Sequence, residues 1–110
     1  MIRCGVLFNS IEKINSNNYY DFINEAFIKN IYCILYKFNN DYYIILEGDE
    51  ENINHFISKL SASKDIYNID IKSFLKIKTN LLKGYTFKEL DLTEETDYPL
   101  IKDLYYKNIW

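Results

Sequence analysis

The sequence YYIILEG, residues 42–48, is the stretch that decides the predicted fold. It is a run of aromatic and β-branched residues that ends in glycine, and such a run is typical of a buried β-strand. Residues 31–38 have the same character, and the polar triplet Asn39-Asn40-Asp41 separates the two runs. Because asparagine and aspartate favour turns, residues 31–47 are predicted to form a β-hairpin.

Residues 2–8, before this hairpin, form an apolar run that ends at Asn9-Ser10 and predicts a first strand. A first helix is predicted next, with Ser16 or Asn17 as its N-cap. Its apolar positions recur at helical spacing: Tyr20, Ile23, Phe27 and Ile28.

After the hairpin, Asp49 is a candidate N-cap for a second helix that ends near residues 61–63. The predicted buried stripe of this helix is Ile53, Phe56, Ile57 and Leu60. Residues 66–75 predict a fourth strand and residues 85–90 a fifth. A C-terminal helix is predicted near residues 97–108, with Pro99 in its first turn and an apolar stripe of Leu100, Leu104 and Tyr105.

At 110 residues and 48% hydrophobic content the chain fits one compact domain. The predicted order is β-α-β-β-α-β, followed by an added strand and a helix. This order is typical of an α+β, ferredoxin-like sandwich, in which two helices pack on one face of a mixed, mainly antiparallel sheet.

The same segments resemble the blue-light-sensing flavin (BLUF) domain family in their order and spacing. In that family the third strand ends in an aromatic-x-Gln-x-Leu-Glu-Gly pattern directly before the second helix. Residues 42–48 match this pattern except at Ile44. Residues 64–69 are similar to the family's Arg/His-rich segment, and residues 82–87 to its Phe-x-x-Trp-x-Met motif. The resemblance covers Arg3 to Leu92, which implies a BLUF-like, ferredoxin-fold domain at residues 1–92 and a helical extension at 93–110, packed on the sheet or at an interface.

The residues that carry the family's photochemistry differ in this chain. The resemblance places Phe8 at the position of its first-strand tyrosine and Ile44 at that of its third-strand glutamine. Tyr85 and Phe87 match the motif's tryptophan and methionine, and Asn30 is the nearest counterpart of a flavin-contacting asparagine. Phe and Ile side chains offer a flavin no hydrogen bond. We therefore expect no bound cofactor and no photocycle, with an FAD-binding sensor of altered or absent photocycle as the alternative.

Alternation along the strands predicts which side chains fill the space that a flavin ring would take. Four strand residues are expected on the helix-covered face: Phe8, Tyr42, Ile44 and Leu46. The helix residues expected opposite them are Phe22, Phe27, Phe56 and Ile57.

The net charge of −3 and the pI near 5.1 disfavour a nucleic-acid partner. One lysine-rich stretch is either a solvated strand face or a patch that binds an anion or RNA. It contains Lys72, Lys76, Lys78, Lys83 and Lys88. An acidic tail accompanies it, with Glu89, Asp91, Glu94, Glu95 and Asp97.

Cys4 and Cys33 lie in apolar runs, and no secretory signal is recognisable. We expect two buried thiols in a soluble, cytoplasmic protein, with a disulfide between neighbouring strands as the alternative. A single histidine leaves too few ligands for a Cys/His zinc site, so no metal is expected. No run approaches the ~20 apolar residues of a membrane span, so no membrane association is expected.

The chain offers no convincing catalytic set. His55 occupies a polar helix position. Glu47 and Asp49 flank Gly48 at the end of a strand and the start of a helix, so roles in the fold motif and in helix capping explain them better than acid–base catalysis. We predict a non-catalytic module that binds a protein partner or forms a homodimer. The candidate interface residues, which alternatively complete the monomer's own core, are Tyr43, Ile45, Tyr105, Tyr106, Ile109 and Trp110.

Overall fold

The computed structural model describes residues 1–12, 20–38, 41–80, 82 and 88–91. The elements in chain order are β1 (Ile2–Ser10), α1 (Tyr20–Ile28), β2 (Tyr32–Phe38), β3 (Asp41–Gly48), α2 (Glu50–Ser61), β4 (Ile66–Lys76) and β5 (Lys88–Asp91). The predicted β-α-β-β-α-β order with a fifth strand is confirmed. The predicted cap at Ser16 or Asn17 and the C-terminal helix at 97–108 lie outside the described residues.

The strands form one sheet with the order β4-β1-β3-β2-β5. β1 is antiparallel to both β3 and β4, and β2 is antiparallel to β3, whereas β5 runs parallel to β2. The sheet is therefore mixed and mainly antiparallel, as predicted. β3, which carries residues 42–48, has a hydrogen-bonded strand on each side, so this run is an interior strand.

At the end of β1 and the start of β3, cross-strand contacts extend the pairing beyond the predicted strands. β1 continues through Asn9 and Ser10, where Asn9 is paired with Asp41 on β3 and with Tyr67 on β4. The Asn9 Nδ2 donates a hydrogen bond to Asp41 Oδ1 at 2.6 Å. Asp41, predicted as a turn residue, is therefore the first residue of β3.

Helix α1 ends at a left-handed residue. Asn30 has a φ of 54°, and the Ile31 N–H donates to the Ala26 carbonyl at 2.9 Å. This is the hydrogen bond of a Schellman motif, in which asparagine is the common alternative to glycine at the left-handed position. Ala26 and Ile31 are both buried, so the motif also turns the chain back into the core towards β2.

Helix α2 begins after Asp49, whose carbonyl accepts a hydrogen bond from the Ile53 N–H at 2.9 Å. The Asp49 side chain makes no capping hydrogen bond, so the predicted side-chain cap is wrong although the boundary is correct. Glu50 and Glu51 lie in the first turn, where negative charge complements the helix dipole.

The core lies between the sheet and the two helices, as predicted. Its buried residues are Ile2, Cys4, Val6, Phe8, Ala26, Ile31, Cys33, Leu35, Tyr42, Ile44, Leu46, Ile53, Phe56, Leu60 and Ile66, with Phe22, Ile57 and Ile69 packed against it. Ile28, one of the apolar positions from which α1 is predicted, is exposed at the end of that helix. The side chains of Tyr20, Ile23 and Phe27 lie outside the described part.

Strand β4 is an edge strand with two irregularities. Its register with β1 shifts between Gly5 and Val6 and again between Leu7 and Asn9. Asn68, in the second of these stretches, has a φ of 54°. Each extra residue reverses the alternation of side chains, so Ile69 packs against the core, whereas Asp70 pairs with Leu7 on the opposite face. Bulges on an edge strand also disfavour pairing with another chain.

Candidate functional site

The positions that match the family's photochemical residues lie inside the apolar core. Phe8 and Ile44 are both buried on the helix-facing side of the sheet. The Phe8 ring stacks on Tyr42, with ring centroids 5.6 Å apart and an interplanar angle of 16°. Across the core, Phe22 and Phe56 meet edge to face at 5.7 Å. The side chains of Phe8 and Ile44 therefore offer apolar contact and no hydrogen bond at these two positions.

Of the other predicted flavin-site residues, Asn30 is the one that the structure describes. Asn30 is exposed, and its left-handed backbone at the end of α1 gives it a structural role. Tyr85 and Phe87 lie outside the described residues. Of the predicted set, Phe8 and Ile44 alone are thus placed together in the described part of the chain.

The two cysteines are buried free thiols, as predicted. Cys4 on β1 and Cys33 on β2 both pair with Leu46 on β3, so a whole strand separates them. At about 4.8 Å between neighbouring strands, their Cα atoms are roughly 10 Å apart, which is too far for a disulfide. The alternative of a disulfide between neighbouring strands is therefore wrong. Burial raises the pKa of the Cys4 thiol to about 11 and that of Cys33 well above its usual value, so neither is a ready thiolate nucleophile.

On the outer face of the sheet, the side away from the helices, Glu47 is completely buried, with 0% of the residue exposed. Its Oε2 accepts a hydrogen bond from Arg3 Nε at 2.9 Å, and its Oε1 accepts one from the Leu82 N–H at 2.7 Å. Arg3 Nη2 also donates to the Thr79 carbonyl at 3.4 Å. We call Arg3, Glu47 and Leu82 the clamp, because together they join the two central strands to the chain that follows β4.

A second cluster on the outer face contains Tyr43, Ser73 and Gly5. The Gly5 N–H donates to Ser73 Oγ at 3.1 Å, and Tyr43 is hydrogen-bonded to Ser73. Burial raises the pKa of Tyr43, while the bond to Ser73 acts in the opposite direction. The neighbouring Tyr36 ring lies 6.5 Å from that of Tyr43, and burial, followed by the charge of Tyr43, raises its pKa. Both phenols are thus protonated at neutral pH.

The outer face has a closed side and an open side. Ile45 on β3 and Ile34 on β2 are 0% exposed within this single chain, so its own residues enclose them. Ile45, predicted as an interface residue, is therefore not on an open surface. Near β4 the face is open, because Tyr67 is 47% and Leu75 54% exposed. The predicted interface residues Tyr105, Tyr106, Ile109 and Trp110 lie outside the described part of the chain.

The sequence interpretation missed Tyr67 and Leu75 as outer-face residues. Their pairing partners Asn9 and Arg3 lie on that face of β1, as does Leu7, which is half-buried. Simple alternation would also place Ile69 and Ile71 there, and the two bulges of β4 prevent this. Asn68, a residue type that tolerates left-handed backbone, is the one sequence signal of a bulge.

His55, predicted at a polar helix position, lies at the rim of the contact between the two helices. Its Nε2 lies 3.2 Å from Glu25 Oε1, and Lys59 Nζ lies 3.5 Å from Glu25 Oε2. Lys59 also sits over the Phe22 ring at 5.7 Å from its centroid. These contacts tie α1 to α2 at the surface above the core.

Three further predictions concern the lysine-rich stretch, metal binding and membrane association. Lys72 forms an ion pair with Asp70 at 2.6 Å on the exposed strand β4, an arrangement that fits a solvated strand face. Among the described residues, no group of three His, Cys, Asp or Glu side chains is arranged to hold a metal ion. In the same part of the chain, no helix has the length and apolar character needed to cross a bilayer.

Solved structures share this fold. A bacterial light-regulated adenylyl cyclase matches with a TM-score of 0.76 and 18% identity, over 96% of this chain and 33% of the cyclase chain. BlsA in its photo-activated state matches with a TM-score of 0.72 and 18% identity, over 93% of this chain and 77% of BlsA. Klebsiella pneumoniae BlrP1 with FMN and cyclic diGMP gives a TM-score of 0.77 and 17% identity, over 94% of this chain and 30% of BlrP1.

These matches establish the fold at low sequence identity. The chain spans about a third of the cyclase chain, and no family model and no curated protein sequence matches it. The chain has a BLUF-like fold, which confirms the resemblance seen in residues 42–48 and the segments around them.

Proposed function

We propose that this chain is a non-catalytic, BLUF-like protein-interaction module without flavin photochemistry. The observation that carries the proposal is the burial of Phe8 and Ile44 in one apolar core, at the positions where the family has a photochemical tyrosine and glutamine. A core of this kind is stabilised by apolar packing, and a polar flavin edge placed in it would lack hydrogen-bond partners at both positions. The residues present therefore do not fit a flavin at these two points.

Two of the side chains considered for catalysis, those of His55 and Glu47, have structural partners, which supports a non-catalytic role. His55 contacts Glu25 between the helices, and Glu47 is engaged by both Arg3 and Leu82. Asp49 lies at the start of α2, where its backbone carbonyl bonds Ile53. Each of these polar groups contributes to a helix or strand contact of the fold.

The surface proposed for binding is the open side of the outer face. The C-terminal residues Tyr105, Tyr106, Ile109 and Trp110, which lie outside the described part of the chain, are proposed as further interface residues. Tyr67 and Leu75 are exposed on the outer face beside the half-buried Leu7 and Tyr43. Exposed aromatic and aliphatic side chains on one face are favoured anchors in protein interfaces. BLUF domains commonly act through protein partners or effector domains, and we propose a second copy of this chain or a larger complex as the partner.

The alternative function is an FAD-binding sensor with an altered or absent photocycle. It is favoured by the structural similarity to BlrP1, whose structure contains FMN. The absorption spectrum of purified protein, before and after incubation with FAD and FMN, distinguishes the two functions. Co-purifying or retained flavin bands would overturn the cofactor-free proposal, and a light-induced red shift would also overturn the loss of the photocycle.

The interaction role is tested by size-exclusion chromatography with light scattering over a range of concentrations. We expect a concentration-dependent dimer that is weakened by Leu75→Ser. The matched control is Ile28→Ser, because Ile28 is also an exposed apolar residue but lies on α1 rather than on the outer face. A strict monomer that also captures no partner, and whose Trp110 deletion affects only its own stability, would refute the interaction role.

A further inference from the structure

Strand β4 is an edge strand of the described sheet, and it exposes large apolar side chains on both of its faces. Tyr67 and Leu75 lie on the outer face, 47% and 54% exposed. Ile71 and Phe74 are 49% and 38% exposed on the helix-facing side, where they pair with core residues of β1. Exposed apolar side chains gathered on one strand are typical of a protein interface.

The outer-face side chains of β4 are arranged symmetrically along the strand. Asp70 and Lys72 flank Ile71 directly, and Tyr67 and Leu75 each lie four residues from it. The sequence of the strand therefore has an acidic and an apolar side chain before Ile71, and a basic and an apolar side chain at matching distances after it.

The two bulges of β4 preserve this symmetry when positions are measured along β1. The pairs between β4 and β1 are Leu75 with Arg3, Ile71 with Val6 and Tyr67 with Asn9. The two outer partners on β1 each lie three residues from Val6. At about 3.3 Å per residue, Tyr67 and Leu75 are thus each roughly 10 Å from Ile71 along the sheet.

An antiparallel second copy of the chain, related by a two-fold axis at Ile71, matches this symmetry. In a two-fold contact, residue i of one copy meets residue j of the other, and j meets i. Tyr67 of each copy would then meet Leu75 of the other copy. Asp70 of each copy would meet Lys72 of the other, which places opposite charges together on both sides of the axis.

The charges of β4 favour this arrangement over others. Within one chain, Lys72 Nζ lies 2.6 Å from Asp70 Oδ2, and both side chains are about half exposed. A two-fold contact joins two such pairs into a network of alternating sign, which stabilises more than one exposed pair does. Lys76, the remaining charged residue of β4, falls opposite Ile66. A parallel arrangement would instead place like charges opposite each other, which is destabilising.

From this pattern we infer that a second copy of this chain docks antiparallel on β4, with a two-fold axis at Ile71. Because the bulges interrupt a continuous ladder of backbone hydrogen bonds, the side chains hold the contact. The inference rests on the proposed interaction function and specifies its partner and its geometry. The contact contains Tyr67 and Leu75 from the open side of the outer face and extends over the edge of the strand to Ile71.

Charge reversal beside the axis tests this geometry by light scattering on the full chain. Asp70→Lys and Lys72→Glu each turn both pairs across the axis into like charges. Each variant alone should therefore dimerise about tenfold more weakly than the unchanged chain. Mixed in equal amounts, the two variants have opposite charges at both pairs, so they should form a heterodimer tighter than either homodimer. Added salt should weaken that heterodimer.

Glu51→Lys is the matched control for the mixing experiment. Glu51 is an exposed acidic residue like Asp70, and its reversal changes the net charge by the same amount, but it lies on α2. A mixture of Glu51→Lys with Lys72→Glu should form no tighter heterodimer. An equally tight heterodimer in this control mixture, or dimerisation unchanged by both reversals on β4, would overturn the proposed geometry.

A cross-linking experiment locates the axis independently of charge. A residue on a two-fold axis meets its own copy, so Ile71→Cys should give a disulfide-linked dimer under mild copper-catalysed oxidation by dissolved oxygen. Leu75→Cys is the matched control on the same strand, because its two copies would be roughly 20 Å apart across the axis, too far for a disulfide. Cys4 and Cys33 are buried and do not compete. Equal linking of both variants, or none of Ile71→Cys, contradicts an axis at Ile71.

The geometry and the interaction function fail in different ways. A dimer that is weakened by Leu75→Ser but unaffected by charge reversal retains the interaction function and overturns the axis at Ile71. A strict monomer that also gives no disulfide-linked dimer of Ile71→Cys overturns the second copy as the occupant of β4. The interaction function itself is refuted only if such a monomer also binds no other protein.

Discussion

The ring of Tyr43 lies across Gly5 on the outer face of the sheet. A Cβ atom added to Gly5 would overlap the Tyr43 hydroxyl, and it would lie 2.8 Å from Tyr43 Cζ and 3.0 Å from Ser73 Oγ. Glycine is needed here because a side chain of the neighbouring strand occupies the space that its own would take. The absence of a side chain at Gly5 thus makes room for the Tyr43 ring on the outer face.

Gly5→Ala is expected to destabilise the protein by about 1–3 kcal/mol, the usual cost of overpacking. In a Tyr43→Ala background the same substitution should cost much less, because the overlapping ring is absent. Urea denaturation of the four proteins of this double-mutant cycle measures the difference. An equal cost of Gly5→Ala in both backgrounds would show that the Tyr43 ring is not the obstacle.

Asn68→Ala is expected to cost about 1–2 kcal/mol, because alanine is strained at a positive φ. Asn68→Gly should cost little, since glycine adopts this backbone freely. Both substitutions remove the hydrogen bond from Asn68 Nδ2 to Asn9 Oδ1 at 3.2 Å, so their difference isolates the backbone effect. At Asn30, which has the same positive φ, alanine should likewise cost more than glycine. Equal midpoints of thermal unfolding for the alanine and glycine variants would contradict the left-handed assignment.

Ile44→Gln is expected to destabilise the protein by about 1–3 kcal/mol, because it places an amide in an apolar core. Ile44→Leu, the volume-conserving control, should cost less than about 1.5 kcal/mol. Thermal unfolding with and without added FAD checks both effects. If FAD raised the unfolding midpoint of the unchanged chain, the apolar core would not exclude the flavin and the alternative function would be favoured.

Stability is expected to fall in alkaline solution because of the buried thiols and phenols. The pKa of Cys4 rises from 9.0 in an exposed thiol to about 11 in the fold, so the folded state keeps a proton that the unfolded chain releases. The free energy of unfolding contributed by this shift is fully present below pH 9 and is lost as the pH rises to about 11, at up to about 1.4 kcal/mol per pH unit. Cys33, Tyr36 and Tyr43 are shifted in the same direction.

Urea denaturation between pH 7 and 11 measures this loss. A Cys4→Ala, Cys33→Ala variant should lose less stability between pH 9 and 11 than the unchanged chain, relative to its own value at pH 7. A pH profile identical in the two proteins would mean that the thiols do not contribute.

Hydrophobic periodicity was sufficient to predict the order of the elements, because each strand and helix must turn an apolar face to the same core. It did not predict the ends of β1 and β3, where Asn9 and Asp41 continue the strands through a side-chain bond between distant residues. It also missed the bulges of β4. A bulge depends on how one strand pairs with another, so alternation within one strand does not reveal it.

The sequence by itself determined the chemistry available to this protein: the side chains of Phe8 and Ile44 offer no hydrogen bond, wherever they lie. Only the tertiary structure decided which surfaces are open. Ile45 is enclosed and Leu75 exposed although both are apolar strand residues on one face. The strand order places one in the centre of the sheet and the other at its edge. The clamp likewise joins Glu47 to Arg3 and Leu82 across 44 and 35 positions, because burial and hydrogen bonding follow proximity in space.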